Sequence, residues 1–253
     1  MVTQIQAKQD DKEVWVVDSI KIIGIAKTLH SEVRNSWLVA KMSRILPKSV
    51  LSASNLNNSS MMPAWLGHFM LRLNGMKIVD HNNGDWPKKC VVPTGPHTSN
   101  RDFPYGLYIR AAVSQYIRFV GKSTLFKGPM GAAMKWMGGV PVERTKRTNF
   151  VQAVANVFKE REEFKLCIAM EGTRSKVDKF KTGFYYIART ADVPMVFCKF
   201  DFGNKVIEFS KPYYLTGNVR EDMDFIYRHF DGVKGLVPEN SFDYDPEVAL
   251  EGL

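Results

Sequence analysis

From Met61 onward the chain alternates short apolar runs with stretches of helical spacing, and no other feature restricts its fold as much. The runs "CVVPT", "FVGK", "GVPVE", "FKLCIAM", "PMVFCKF" and "KVIEF" predict strands. Between them, "FPYGLYIRAAVSQYIRF", "GPMGAAMKWM", "NFVQAVANVFKERE" and "GFYYIARTA" predict helices. Strands that alternate with helices of this length build βαβ units. The expected class is therefore α/β, a single domain over 61–240 with a mostly parallel central sheet flanked by helices. In such sheets ligands gather outside the carboxyl ends of the strands. Residues that follow predicted strands are the first candidates for chemistry.

The flanks read differently. Within residues 1–60, "SEVRNSWLVAKMSRIL" sets Leu38, Val39, Met42, Ile45 and Leu46 on one helical face, and "SVLSASNLNNSS" is linker-like. This predicts a mainly helical N-terminal extension, with Met61 as a conceivable alternative start. Residues 63–79, "PAWLGHFMLRLNGMKIV", place Trp65, Leu66, Phe69, Met70 and Leu73 on one face. That stripe fits a helix packed on the domain, or one lying in a bilayer surface. Residues 241–253 read as an acidic C-terminal tail.

Composition narrows the function classes. A bilayer span needs roughly 18 apolar residues, and the longest candidate, Val14–Ala26, is interrupted by Asp18 and Lys21. No secretory signal pattern is present. Cys90, Cys167 and Cys198 are odd in number and embedded in apolar runs, which predicts reduced core residues in a cytoplasmic protein with no metal or disulfide role. The net charge is +9. Residues 61–238 hold 27 Lys and Arg against 16 Asp and Glu, whereas the segment from Glu239 has five acids and no base. A basic body favours polyanions: nucleic acid, an anionic bilayer, or phosphorylated ligands.

Three segments carry candidate chemistry. "PHTSNRD" puts His97 after a strand and Asp102 five residues on, where a base and its orienting carboxylate would stand. The same residues also make an ordinary turn and a helix cap. "EGTRSKVDKFKTGF" offers a glycine turn, hydroxyls on Thr173 and Ser175, and cations Arg174, Lys176, Lys179 and Lys181, a composition suited to phosphate. A solvated basic loop with a Glu171–Arg174 pair is the plainer alternative. "GGVPVERTKR" sets Arg144 just past a strand, as a second phosphate clamp or as an ion pair with Glu143.

Taken in order, these segments resemble the glycerolipid acyltransferase family, which includes the 1-acylglycerol-3-phosphate acyltransferases. Its His-x4-Asp block is matched by His97 and Asp102, and its post-strand arginine by Arg144. Its Glu-Gly-Thr-Arg is matched by Glu171, Gly172, Thr173 and Arg174. A following Phe-Lys-x-Gly is matched by Phe180, Lys181 and Gly183, and a Val-Pro strand opening by Val193-Pro194. The four blocks cover about 100 residues, and the looser resemblance runs from about Gly67 to Glu239. Departures are Ala169-Met170 where Phe-Pro is common, Pro141 where an aromatic is common, and Pro96 before the histidine. The version resembles a compact bacterial subgroup, with a glycerol-3-phosphate acyltransferase-like fold.

The resemblance implies transfer of a fatty acyl group from acyl-CoA or acyl carrier protein to a lysophospholipid hydroxyl. The acceptor would be 1-acyl-sn-glycerol-3-phosphate and the product phosphatidic acid. His97 would be the general base and Asp102 its orienter. Arg144, Glu171, Gly172, Thr173, Arg174 and Lys181 would hold the acceptor's head, with Glu171 orienting Arg174 or bonding an acceptor hydroxyl. No cofactor beyond the acyl donor and no nucleic acid partner is expected. The protein would attach peripherally to the anionic inner face of the plasma membrane. Another lysolipid or alcohol is the alternative acceptor, and a non-catalytic polyanion-binding or membrane-surface protein the alternative class. A hydrolase is disfavoured, because no Gly-x-Ser-x-Gly elbow is present.

Overall fold

A computed structural model describes residues 62–142 and 147–252. The elements in chain order are α1 (Ala64–Leu73), β1 (Lys77–Asp80), β2 (Lys89–Gly95), α2 (Asp102–Ala112), β3 (Ile117–Lys122), α3 (Gly128–Trp136) and β4 (Gly139–Val142). They continue with α4 (Arg147–Glu160), β5 (Phe164–Ala169), α5 (Gly183–Ala191), β6 (Cys198–Asp201), β7 (Val206–Phe209), α6 (Val219–Phe230) and the short α7 (Pro246–Ala249). The seven strands form one sheet in the order β1-β7-β6-β2-β5-β3-β4. All pairings are parallel except β6 with β7. The class read from the sequence, a mostly parallel sheet flanked by helices, is the one observed.

Alternation along the strands sorts side chains to two cores. On β2, Cys90 and Val92 enter one core while Val91 enters the other. The first core takes Leu71 of α1 and Tyr105, Ile109 and Ala112 of α2. The second takes Val154 and Phe158 of α4, Phe184 and Ile187 of α5, and Met223, Ile226 and Phe230 of α6. Helices therefore cover both faces, which is why β2 is buried through Gly95.

Three expectations are corrected. The helix read over 63–79 stops at Leu73, because Asn74 ends it and Gly75 takes φ +70°; Lys77–Asp80 is then an edge strand pairing with β7. The helix read over 103–119 stops at Ala112. Ser114 turns the chain at φ 54°, and Ile117 onward pairs with β5. The acidic segment after Glu239 is not a loose tail: Phe242, Ala249 and Leu250 are buried in the second core. The apolar stripe of residues 38–46 lies outside the described residues.

Gly67 shows how closely α1 meets α2. A Cβ there would lie 2.5 Å from the Tyr108 carbonyl oxygen and 2.7 Å from the Ala112 nitrogen. With that face of α1 turned inward, Trp65, Phe69 and Leu73 are left outward, 43%, 51% and 65% exposed.

Candidate active site

The site follows from strand register. Thr94 of β2 stands opposite Ala169 of β5, so the two parallel strands end side by side. The next few residues of each, His97 and Glu171, therefore meet at the carboxyl edge of the sheet. Gly95 permits this approach: a Cβ there would be 2.8 Å from Met170 Cε and 3.1 Å from Glu171 Oε1. Met170, which departs from the family pattern, is itself fully buried against this turn.

His97 Nδ1 lies 2.9 Å from Asp102 Oδ2. The same oxygen accepts the main-chain N–H groups of Thr98 (2.9 Å) and Ser99 (3.0 Å). Asp102 is 3% exposed and the His97 side chain 29%. With the carboxylate on Nδ1, the other ring nitrogen, Nε2, is the one available to accept a proton. The pair thus has the geometry of an oriented base, and Asp102 also opens α2.

Glu171 turns inward rather than toward Arg174. It is 3% exposed, and its Oε1 accepts the His97 main-chain N–H at 3.2 Å. Burial pushes its carboxyl above the usual range. N–H bonds from its own main chain and from His97, together with the nearby His97 ring, act in the opposite direction. Among the described residues, Glu171 Oε2 and Asp102 Oδ1 are buried without a hydrogen-bond partner. Two carboxyl groups therefore flank one imidazole turn, one on the ring and one on the main chain.

Gly172 takes φ +63°, and a Cβ there would lie 2.9 Å from Lys181 Cδ, so the glycine admits both the turn and the lysine beside it. Lys181 is fixed through its main chain, whose N–H donates to the Met170 carbonyl (2.9 Å). Thr173 and Arg174 stand exposed on the same turn. The structure thus brings His97, Asp102, Glu171, Gly172 and Lys181 together, with Thr173 and Arg174 adjoining. Arg144 lies outside the described residues. Two of the cations read as suited to phosphate are engaged elsewhere: Lys176 Nζ binds Asp243 Oδ2 at 2.8 Å, and Lys179 Nζ binds Glu251 Oε2 at 2.9 Å.

An apolar groove of about 780 Å³ opens beside this turn. Val120 and Gly121 of β3, Ile168 and Ala169 of β5, Phe150 of α4 and Ile187 of α5 line it, and Gly172 and Lys181 border it. Sequence reading did not find it, because its walls come from four elements whose apolar residues look like ordinary core. It also missed Thr98, 4% exposed, whose hydroxyl accepts the Val237 N–H at 3.0 Å. Among the described residues no group of His, Cys, Asp and Glu could hold a metal ion.

Comparison with known proteins places these features in a family. No curated protein matches the chain. A solved structure, the 1-acyl-sn-glycerophosphate (LPA) acyltransferase PlsC from Thermotoga maritima, is similar at 17% sequence identity and a TM-score of 0.46, over 66% of this chain and 73% of that one. The model of the family described as Acyltransferase matches residues 77–200. That span contains the His97 turn, the Glu171 turn and the strands that present them. Over residues 77–200 the chain carries the domain of this acyltransferase family.

Proposed function

We propose that the chain moves a fatty acyl group from a thioester, acyl-CoA or acyl carrier protein, to the free hydroxyl of a lysophospholipid, with His97 as the general base. The observation that carries the reading is the His97–Asp102 contact at 2.9 Å, set beside the Glu171 turn whose next residue, Gly172, borders an apolar groove. His97 Nε2 takes the acceptor hydroxyl's proton as that oxygen attacks the thioester carbonyl. The C–S bond then breaks, and the leaving sulfur receives the proton from the imidazolium. The groove suits an acyl chain, since its walls offer apolar surface and Gly172 and Lys181 of the polar segment border it. Arg174 and Lys181, with Arg144, supply the charge a phosphate head requires, which favours 1-acyl-sn-glycerol-3-phosphate as acceptor and phosphatidic acid as product. Other lysolipids remain the alternative acceptors.

Thiol release from palmitoyl-CoA, measured with and without lysophosphatidic acid, tests this reading. Wild-type protein is expected to release thiol only with the lysolipid, and His97→Ala to lose that release by about 10³-fold. Equal release by both proteins would remove His97 as the base.

Access to a bilayer follows from the surface. Among the described residues no helix is long and apolar enough to cross a membrane. Trp65, Phe69 and Leu73 recur every fourth residue on the outer face of α1, and Leu125, Met130 and Trp136 are exposed near the exposed Lys122, Lys127 and Lys135. We assign these faces to peripheral contact with an anionic leaflet, where apolar burial and charge act together. In flotation with vesicles containing anionic lipid, the triple variant Trp65→Ser, Phe69→Ser, Leu73→Ser is expected to bind at least about tenfold more weakly than wild type. Undiminished flotation would detach α1 from the membrane surface.

A further inference from the structure

We propose that residues 233–243 form a strap that positions the His97–Asp102 turn through Thr98; the proposal rests on the reading of that turn as the base. The strap lies beyond the span that the family model matches, 77–200. Its middle meets the turn at Thr98 on two counts. The Val237 N–H donates to Thr98 Oγ1 at 3.0 Å, and Gly235 approaches so closely that a Cβ there would stand 2.5 Å from both Thr98 Cγ2 and Oγ1. Thr98 in turn donates its own main-chain N–H to Asp102 Oδ2 at 2.9 Å. A single residue thus joins the strap, by its side chain, to the orienting carboxylate, by its main chain.

The strap is held at both ends. On one side the Lys234 carbonyl accepts the Phe202 N–H (2.9 Å) at the end of β6. On the other, Ser241, 1% exposed, accepts the Gly235 N–H at 2.9 Å and closes the strap into a loop. Phe242 then enters the core against Phe180, with ring centroids 4.3 Å apart, and Asp243 binds both Lys176 (2.8 Å) and Lys234 (3.0 Å). Phe180 and Lys176 belong to the loop that begins at Glu171. The strap therefore ties together the two turns that must act on one substrate, and a shift in it would change the angle at which the His97 ring is held. Gly235, Leu236 and Pro238 also border a cavity of about 280 Å³, so the strap is not packed on every side and its contacts with Thr98 fix its place.

Three variants and two readouts test the strap. Thr98→Val keeps the shape but removes the acceptor, Thr98→Ser keeps the acceptor, and Ser241→Ala loosens the strap without touching the turn. Thr98→Val is expected to lower kcat for acyl transfer at least tenfold with KM for both substrates within about twofold, and Thr98→Ser to restore it. The ring ¹⁵N shifts of His97, one of five histidines, are expected to move in Thr98→Val and to stay in Thr98→Ser. Should Thr98→Val not fold, Ser241→Ala is read by the same two criteria, with a kcat loss of about threefold or more. Wild-type kcat together with unmoved His97 shifts in the variant that folds would overturn the proposal. Moved shifts in a protein whose wild type transfers no acyl group would leave the strap standing and remove the acyltransfer reading instead.

Discussion

Asp102→Ala is expected to lower lysolipid-dependent acyl transfer by about 10³-fold, as far as loss of the base itself, and Asp102→Asn by only about a hundredfold. The difference follows from which atom does the work. A single oxygen, Oδ2, accepts the His97 Nδ1–H and the N–H groups of Thr98 and Ser99. Two of those donors are main-chain groups with no alternative acceptor in the turn, so an asparagine would be obliged to aim its carbonyl oxygen there. His97 would then keep its tautomer, with Nε2 still able to take a proton. Only the negative charge that steadies the imidazolium would be lost. Alanine removes the charge, the tautomer control and the acceptor for both main-chain donors at once. Steady-state thiol release at saturating donor and acceptor reads the two losses. If asparagine falls as far as alanine, the oxygen is not what holds the ring. If neither variant falls, the base assignment is wrong.

Much of this arrangement was legible in the sequence, for reasons that separate local from distant information. The strand exits of β2 and β5 could be read because each is a short apolar run that ends in a turn signal. Parallel register then makes their ends adjacent without further instruction. The direction of β7 against β6 could not be read, since a strand's composition is the same in either direction. Neither could the edge strand β1, whose four residues alternate exposed and half-buried and follow directly on a helix of stronger periodicity.

Contacts made by main-chain atoms left no trace in residue types. Glu171 reads as the partner of a nearby arginine, three residues away, yet its oxygen accepts an N–H from a residue 74 positions earlier. The C-terminal segment misleads for a related cause. Its five acids and lack of bases suggest a solvated tail, but Asp243 and Glu251 meet lysines 67 and 72 positions away. Such exposed pairs stand in water, are screened by salt and contribute little. It is Phe242, Ala249 and Leu250 that hold the segment down. The sequence therefore indicated where chemistry could stand, but not what steadies it from behind.

The largest effect on stability is expected at a residue that no motif contains. Asp222 of α6 is fully buried, and its two oxygens accept the Tyr185 hydroxyl (2.9 Å), the Tyr213 hydroxyl (2.8 Å) and the Thr216 N–H (3.0 Å). Burial, with the Asp222 carboxylate beside it, pushes the Tyr185 hydroxyl up to about 12, and Tyr213 is raised by the same causes. Both phenols therefore remain donors across the working pH range. Asp222→Ala would leave the Tyr185 hydroxyl without its acceptor inside the second core and the half-buried Tyr213 hydroxyl without its acceptor at the edge of that core, while the Thr216 N–H lies on an exposed residue. The expected cost is about 3–5 kcal/mol, a large share of the roughly 5–15 kcal/mol that keeps a domain folded. For a chain of this size that corresponds to a fall in Tm of about 10 °C, read by circular dichroism on heating. Tyr185 stands on α5, whose neighbouring residues Phe184, Tyr186 and Ile187 line the apolar groove, so the variant should also loosen that wall. Acyl transfer measured well below the new Tm should accordingly show a raised KM for the acyl donor with kcat within about threefold. A Tm within about 2 °C of wild type would mean that the two tyrosines find other acceptors, and that this carboxylate does not join α5 to α6.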